Sequence, residues 1–109
     1  MVTIRRKQRD VVFRAIADPT RRKILSLLRN GQQSVGEVAG NFRMSRPAIS
    51  KHLRLLRSAG LVVSRRDGTS RICVLNAKPL ATVNEWLQDY EAFWNESLRS
   101  LKTYVEANP

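Results

Sequence analysis

Residues 46–59 carry two kinds of side chain, which separate when the segment is placed on a helical wheel at about 100° per residue. One side holds Ala48, Ile49, His52, Leu53, Leu55, Leu56 and Ala59. The other side is a polar and cationic arc of about 140° with Arg46, Pro47, Ser50, Lys51, Arg54, Arg57 and Ser58. An α-helix fits the major groove of B-form DNA, where hydroxyls and basic side chains reach base edges and phosphates. The pattern therefore predicts a helix that binds nucleic acid through its cationic face.

The place of each side chain along this helix predicts its role. Base edges are expected to be read from the N-terminal end, by Ser45, Arg46, Pro47 and Ser50. Phosphates are expected beside Lys51, Arg54 and Arg57. Arg46 is the best candidate for specificity, because an arginine can donate two hydrogen bonds to O6 and N7 of guanine. A plain phosphate contact by Arg46 is the alternative, and the sequence does not separate the two.

The basic charge is concentrated in the first two-thirds of the chain. The 109 residues contain 20 Lys and Arg against 9 Asp and Glu, a net charge of +11. Residues 1–76 hold 17 Lys and Arg against 4 Asp and Glu, whereas residues 77–109 hold 3 against 5. Solubility asks for a net charge of only about 2 to 8 in a small domain, so we expect a polyanionic partner. The length favours one domain spanning residues 1–109.

Local start and stop signals divide the first 60 residues into helices. Apolar spacing predicts a short helix over residues 10–17. Asp18-Pro19 is typical of an N-cap with proline at the first helical position, and predicts a second helix that ends at Arg29. Ser34 and Glu37 form a capping box for a third helix. Ser45 caps the helix of residues 46–59, and Gly60 ends it.

Residues 61–75 change to the pattern of a β-hairpin. Asp67-Gly68 suits a two-residue turn, which pairs Arg66 with Thr69, Ser64 with Arg71, Val63 with Ile72 and Val62 with Cys73. In this register the core is covered by Leu61, Val63, Ile72 and Val74. Arg66 and Arg71 are expected to point away from it together. A helix-turn-helix followed by such a hairpin is a winged helix.

The hairpin and the N-terminus supply further basic residues. We expect the wing to lie along the DNA backbone or enter the minor groove through Arg65, Arg66, Gly68, Thr69 and Arg71. The basic arm formed by Arg5, Arg6, Lys7 and Arg9 either adds phosphate contacts or stays a solvated tail.

The end of the chain has a different character. Residues 80–107 lack Gly and Pro, and their apolar positions recur every three or four residues, which predicts a long amphipathic helix over residues 79–107. Its stripe is broader than a small winged core can cover, so we expect a homodimer, with folding back onto its own domain as the alternative. The expected contacts are Val83, Trp86, Leu87, Tyr90, Phe93, Trp94, Leu98 and Leu101. The predicted fold is mostly α with a small β-hairpin, a winged helix-turn-helix (residues 10–76) followed by this dimerisation helix.

Several classes of protein do not fit this sequence. One His and one Cys, without a phosphate-binding glycine loop or a nucleophile motif, provide no catalytic constellation, so we expect neither an enzyme nor a cofactor. The longest apolar runs are triplets, which excludes a membrane span, and the absence of a signal sequence favours the cytoplasm. His52 is expected to pack against the core, and Cys73 to be a semi-buried structural thiol.

A winged module that binds RNA or a protein is the main alternative to one that binds duplex DNA, because basic patches attract any polyanion. The distribution of aromatic residues argues against single-stranded RNA. Readers of single strands stack bases on aromatic side chains beside the basic surface, whereas five of the seven aromatic residues here lie in the acidic segment of residues 77–109.

Three segments of the sequence resemble one family. Ala17-Asp18-Pro19-Thr20-Arg21-Arg22-Lys23-Ile24-Leu25, Ser45-Arg46-Pro47-Ala48-Ile49-Ser50-Lys51-His52-Leu53-Arg54-Leu55-Leu56 and Ala59-Gly60-Leu61-Val62 are similar to the ArsR/SmtB-type winged-helix repressors. The aromatic tail resembles the autorepressor-like branch of that family. The resemblance implies repression of transcription by a homodimer that pairs through its first and last helices, which adds Val12, Phe13 and Ile16 to the expected interface. It also implies release of DNA by an effector or a protein partner.

The sequence departs from the metal-sensing members of that family. These members carry a cysteine pair before the recognition helix, or His and carboxylate ligands on the last helix. Here the first position reads Ser34-Val35-Gly36-Glu37-Val38-Ala39, and the last helix has carboxylates but neither His nor Cys. Because zinc, copper and arsenic prefer softer ligands, we predict no metal site.

Overall fold

The computed structural model describes residues 2–108, with side chains from Arg6 onward. In chain order the elements are α1 (Val2–Ala17), α2 (Pro19–Arg29), β1 (Gln33–Ser34), α3 (Val35–Ala39), α4 (Arg46–Ser58), β2 (Val62–Asp67), β3 (Ser70–Leu75), a 3-10 turn (Lys78–Leu80) and α5 (Ala81–Ala107). This order confirms the predicted winged helix-turn-helix with a long last helix. Two features were not predicted: α1 begins well before residue 10, and β1 adds a third strand.

The helix starts follow the predicted caps. Asp18 Oδ2 accepts the backbone N–H of Arg21 at 3.0 Å and begins α2. Ser34 Oγ accepts the N–H of Glu37 at 3.1 Å, while the Glu37 carboxylate accepts the N–H of Ser34 at 3.0 Å. These bonds satisfy amide groups that have no partner within their own helix, which is why short side-chain signals locate helix ends well.

The hairpin register differs from the predicted one. Arg66 lies opposite Arg71 and Asp67 opposite Ser70, so the two-residue turn is Gly68-Thr69 and not Asp67-Gly68. Gly68 has φ +62, and no residue other than glycine in the described chain has a positive φ. A turn centred on Asp67-Gly68 would have needed a positive φ at Asp67, whereas a turn with glycine at its first central position avoids this strain.

The face of the hairpin that covers the core is also the reverse of the predicted one. Val62 and Cys73 are buried, whereas Val63 is 53% exposed, and Ile72 and Val74 are only partly buried. Leu61 is buried too, but it precedes β2, and its N–H bonds to the carbonyl of Leu56 at the end of α4. The alternation of the strand therefore starts at Val62, and counting it from Leu61 reversed the two faces.

The sheet has the order β1-β3-β2, with all neighbours antiparallel. In this sheet Gln33 of β1 pairs with Cys73, and Ser34 pairs with Ile72. A strand of two residues has too little pattern to be predicted from sequence. Its effect is to hold the start of α3 against the wing strand β3.

The core lies between α1, α2, α4 and the sheet, and α5 adds no fully buried residue to it. The fully buried large side chains are Ile24, Val38, Ile49, Leu53, Leu56, Leu61 and Cys73. A compact chain of this length has a radius of gyration of about 13 Å, yet the observed value is 18.6 Å and the longest extent is 63 Å. The difference arises because α5 projects beyond the core. Within residues 2–108, no helix combines the length and apolar character needed to cross a membrane.

Candidate nucleic-acid interface

The predicted recognition helix is α4, and its orientation is fixed by the residues that it buries. Ser45 Oγ accepts the N–H of Ala48 at 3.2 Å at its start. Ile49, Leu53 and Leu56 have no exposed surface, so the helix cannot rotate on the core without losing this packing. The side chains on the outer arc are the exposed Arg46, Pro47, Lys51 and Arg54 and the half-buried Ser50 and Arg57. The wheel thus indicated the outer face correctly, except that Leu55, on its apolar side, is 41% exposed.

A cleft of about 480 Å³ separates the outer face of α4 from the wing. Four arginines line it, Arg46, Arg54 and Arg57 from α4 and Arg71 from β3. The remaining lining residues are Ser34, Val35, Gly36, Ser50, Leu53, Thr69 and Ser70. Since hydroxyl groups and guanidinium groups dominate and no carboxylate takes part, the chemistry of the cleft suits phosphate oxygens.

The cationic side chains around this cleft have no acidic partner. Among side chains 6–108, Lys102–Glu106 on α5 is the one pair in which a Lys or Arg nitrogen lies within 4.0 Å of a carboxylate oxygen. None of the described carboxylates therefore lies within 4.0 Å of a cationic nitrogen of the cleft. A polyanion that binds there gains free energy from the release of counterions.

The wing places two like charges side by side. Arg66 and Arg71 are directly opposite partners at the exposed end of the hairpin. Like charges in this position destabilise a hairpin, so their arrangement favours a bound anion between or beside them. Arg65 is held differently, because its Nη2 donates to Gln32 Oε1 at 3.0 Å. That bond anchors β2 to the segment that precedes β1.

The basic arm is not grouped with the cleft. Residues 2–17 are helical, so the arm is the first part of α1 and continues directly into the core helix. Arg6 and Lys7 are exposed and Arg9 is partly buried, while the side chain of Arg5 lies outside the described residues. Lys7 lines a separate cleft beside Ser58 at the C-terminal end of α4, away from Ser45.

Arg21 is a structural residue that the sequence analysis did not single out. Its Nε donates to the carbonyl of Ala15 at 2.8 Å, and its Nη2 donates to the carbonyl of Arg14 at 3.0 Å. Arg22 adds bonds to the carbonyls of Ile16 at 2.7 Å and Ala17 at 3.0 Å. The two arginines thus satisfy carbonyl groups at the end of α1, which have no partner within that helix. A pair of arginines just inside the next helix is the sequence signal that could have indicated this.

Arg21 also reaches the recognition helix. Its Nη1 lies 3.2 Å from His52 Nδ1, and Asp18 Oδ2 lies 3.8 Å from the same nitrogen. The N–H of Arg21 holds the pKa of the Asp18 carboxyl below its ordinary value of 3.8, and the positive charge of the Arg21 guanidinium acts in the same direction. His52 therefore packs and bonds within the chain, as the sequence analysis expected.

The apolar face of α5 has few partners within the chain. At its start, Trp86 packs edge-on against Phe13 of α1, with ring centroids 5.3 Å apart, and Val83 packs against the core. Beyond this point the apolar side chains of α5 are exposed to solvent and form what we call the bare stripe. Phe93, for example, is 72% exposed. The other exposed members are Trp86, Leu87, Tyr90, Trp94, Leu98, Leu101, Tyr104 and Val105. Tyr104 and Val105, which the expected interface did not include, are exposed on the same stripe.

One residue of the expected dimer interface, Val12, is buried within its own chain. Val12 is only 2% exposed and belongs to the core of its own chain, which corrects its assignment to the dimer contact. On α1, Val12 points between the helices, whereas Phe13 and Ile16 keep part of their surface. Adjacent positions on a helix differ by about 100°, so Val12 can be buried in the core while Phe13 beside it keeps part of its surface.

Cys73 lies deeper in the protein than expected. It is fully buried, opposite Ser64 in the hairpin and not opposite Val62. Burial raises the pKa of its thiol, which keeps the sulfur protonated and unreactive. Within residues 2–108, no three side chains of His, Cys, Asp or Glu come together in a way that could hold a metal ion.

Comparison with known proteins relates both the sequence and the fold to bacterial regulators. The sequence model of a protein family, described as bacterial regulatory protein, arsR family, matches residues 18–64, from the cap of α2 into β2. The transcriptional repressor SdpR of Bacillus subtilis (strain 168) is 40% identical over 79 residues, which cover 72% of this chain and 88% of the relative.

Two solved structures extend the likeness to three dimensions. The crystal structure of an ArsR family transcriptional regulator superposes with a TM-score of 0.75 at 34% identity, covering 82% of this chain and 92% of the other. A homodimeric winged helix-turn-helix DNA-binding domain from Mycobacterium bovis, solved by NMR, superposes with a TM-score of 0.64 at 30% identity, covering 84% of each chain.

Proposed function

Because the chain belongs to the ArsR family of bacterial regulatory proteins, we propose that it represses transcription as a homodimer bound to an inverted-repeat operator. The chain is a DNA-binding transcriptional regulator. Its recognition helix is residues 45–59 and its wing is residues 61–75. An effector or protein partner that remains to be identified releases the DNA.

The observation that carries this proposal is the unpaired cationic cleft between α4 and the wing. Arg46, Arg54, Arg57 and Arg71 line one cleft without a carboxylate, and α4 projects its outer face from a rigid core. A helix of this kind enters the major groove, while a basic hairpin at its side reaches the flanking backbone. Both elements then contact the same duplex.

Contacts are divided along α4 by their distance from its N-terminus. Ser45, Arg46, Pro47 and Ser50 read base edges, because the N-terminal residues of a recognition helix reach deepest into the groove. Lys51, Arg54 and Arg57 bind phosphates, as do the wing residues Arg65, Arg66, Thr69 and Arg71. For Arg46 both a guanine contact and a phosphate contact fit its exposed position at the mouth of the cleft.

A second copy of the chain covers the bare stripe of α5. The partner contacts Phe13 and Ile16 on α1 and the stripe from Trp86 to Leu101 on α5, where large aromatic side chains dominate. Exposed aromatic clusters of this kind are typical of the centre of protein interfaces. A two-fold dimer presents two recognition helices, so half-sites about 34 to 36 Å apart, one turn of DNA, are expected.

The operator is found by selecting bound fragments from random and genomic DNA with the purified protein. We expect an inverted repeat with half-sites one helical turn apart, and retention of binding in excess structured RNA. A single unrepeated motif would contradict the dimer on DNA. Preference for RNA over the selected duplex would contradict the choice of nucleic acid.

A further inference from the structure

A second cleft lies where α1, the end of α4 and the start of α5 meet. Its volume is about 530 Å³, within the range of about 300 to 1,000 Å³ that is usual for small-molecule sites. Its lining includes Ser58 and Gly60, which lie at the opposite end of α4 from Ser45. A ligand there does not compete with DNA for the cationic cleft.

The floor of this second cleft is apolar and held by the core. Val11, Val12, Ala59 and Pro79 form it, and both Val12 and Ala59 are buried in the core cluster. A Cβ built on Gly60 would lie 3.3 Å from Cγ of Pro79, so the chain closes tightly beneath the cleft at this point. An apolar ligand body placed on this floor loses contact with water and gains about 25 cal/mol per Å² buried.

The rim of the second cleft is cationic. Lys7 of α1 and Lys78 of the 3-10 turn are exposed on the rim, and among side chains 6–108 no acidic one lines the cleft. Three carbonyl groups at the end of α4 already accept hydrogen bonds. The carbonyls of Leu55 and Arg57 accept the N–H groups of Ala59 at 3.1 Å and Gly60 at 2.9 Å, and the carbonyl of Leu56 accepts the N–H of Leu61 at 3.0 Å. The two lysine charges at this rim outweigh the partial negative charge of the helix end, which is about half an elementary charge.

The rim of the second cleft and the proposed dimer contact lie on different parts of α1. On a wheel of α1, Val11 lies about 160° from Phe13 and Lys7 about 120° from it, and Phe13 packs on Trp86 in the proposed dimer contact. Lys7 and Val11 are therefore not on the side of α1 that carries Phe13.

We propose that this second cleft binds a small organic carboxylate with an alkyl or aryl body. The carboxylate pairs with Lys7 and Lys78, and the body lies on Val11, Val12 and Pro79. The ligand then joins α1 and the start of α5 to the last turn of the recognition helix. These are the elements that carry the dimer contact and the DNA contact, so a ligand bound among them acts on the spacing of the two recognition helices. Binding in the second cleft goes beyond the proposed function, and only its effect on the spacing of the recognition helices rests on the proposed dimer.

Titration of the full chain with octanoate, followed by amide chemical shifts, tests the proposal. We expect saturable shifts confined to Val11, Val12, Ser58, Gly60 and Thr82. Replacing both lysines, Lys7→Gln with Lys78→Gln, should weaken octanoate binding about tenfold, because two charge-assisted contacts are lost, and leave binding of 1-octanol unchanged. Lys23→Gln removes one positive charge on α2, outside the cleft, and should leave octanoate binding as it is.

A filling variant supports the location by a second route. Ser58 is exposed at the mouth of the second cleft, so Ser58→Phe should block both octanoate and 1-octanol without removing a core contact. All of these substitutions are at exposed positions, and unchanged thermal midpoints verify that the variants fold.

Three results would overturn the proposal. One is the absence of binding by octanoate or phenylacetate at concentrations up to about 10 mM, which corresponds to a binding free energy weaker than about −3 kcal/mol. Another is equal affinity for octylamine with shifts on the bare stripe of α5, which indicates adsorption to the dimer surface. The third is an affinity for octanoate that is unchanged when both lysines are replaced. Operator binding measured without octanoate reports on the proposed function alone, so failure of one inference is distinguishable from failure of the other.

Discussion

Arg21 connects the end of α1 to the middle of the recognition helix by donating from Nη1 to His52 Nδ1 over 3.2 Å. Because a guanidinium group has no acceptor, Nδ1 of His52 is the acceptor in this contact. The same guanidinium binds the carbonyls of Arg14 and Ala15. One side chain therefore fixes the angle between a helix of the proposed dimer contact and the helix that reads DNA.

Replacing Arg21 with Ala should lower the free energy of unfolding by about 1 to 3 kcal/mol, because the partly buried carbonyl of Ala15 and the partly buried His52 lose their donor. Arg29→Ala is the matched control, since Arg29 is an exposed arginine of the same helix. Urea denaturation of both variants measures the difference. An equal, small effect of the two substitutions would show that the Arg21 bonds contribute nothing beyond exposed charge.

Asp18 should give the protein an acid-sensitive cap. Its carboxyl has a lower pKa in the folded chain than its ordinary value of 3.8, so the stabilisation is fully present above that value and is lost as the pH falls through the folded pKa. Asp18→Asn keeps a capping side chain but cannot titrate. Thermal midpoints measured from about pH 6 to pH 2 should therefore fall less steeply in Asp18→Asn. Parallel curves for the two proteins would contradict this role.

Arg66 should contribute to DNA binding at the expense of stability. It lies directly opposite Arg71, so Arg66→Thr relieves the repulsion and should raise the free energy of unfolding by about 0.2 to 1 kcal/mol. The same variant should bind operator more weakly. Arg65→Thr is the comparison, because Arg65 loses a bond to Gln32 and should not gain stability. If Arg66→Thr leaves the free energy of unfolding unchanged or lowers it, repulsion between the two arginines does not reduce the stability of the wing.

The salt dependence of operator binding should give the number of phosphate groups that the protein contacts. About six contacts give a slope near −5 for the logarithm of affinity against the logarithm of salt concentration. Arg54→Ala should reduce this slope by about 1 and weaken all operator variants alike. Arg46→Ala instead should lose discrimination at one base pair, worth about 1 to 3 kcal/mol. A uniform loss with Arg46→Ala would assign Arg46 to a phosphate, and a flat salt response would remove the electrostatic basis of the interface.

Phe93 should be a central contact of the proposed dimer. It is 72% exposed on α5, so Phe93→Asp does not disturb the fold of one chain but places a charge in the apolar contact. Sedimentation equilibrium should show a shift from dimer to monomer. Val63→Asp, on the exposed face of the wing strand, serves as the control because it is half-exposed far from α5. A Phe93→Asp protein that stays dimeric would place the contact elsewhere.

The features that the sequence predicted well are local. The caps at Asp18, Ser34 and Ser45 depend on side chains and amides three residues apart, and the outer face of α4 follows from its periodicity. The features that it missed depend on distant partners or on one backbone angle. Arg21 and His52 are 31 residues apart, and β1 becomes a strand only beside β3.

The hairpin shows why a small local error has a large effect. A turn at Gly68-Thr69 moves the pairing of every residue in the wing, although both turns use the same glycine. The sequence correctly placed Arg66 and Arg71 on one face of the wing, but that face is the one of the buried Val62 and Cys73 and not the face that points away from the core. Their direct pairing, and hence the repulsion between them, depends on the register and could not have been inferred from the sequence.

Because of the bare stripe on α5, the fraction of this protein that is dimeric should depend on its concentration in the cell. When an apolar face is covered only by a second copy, the covered fraction follows mass action and falls with dilution. Loss of the partner then also removes the second recognition helix, so occupancy of a paired site falls more steeply than abundance. A regulator built in this way has a concentration threshold that depends both on the contact made by Phe93, Trp94 and their neighbours and on the affinity of the cationic cleft for DNA.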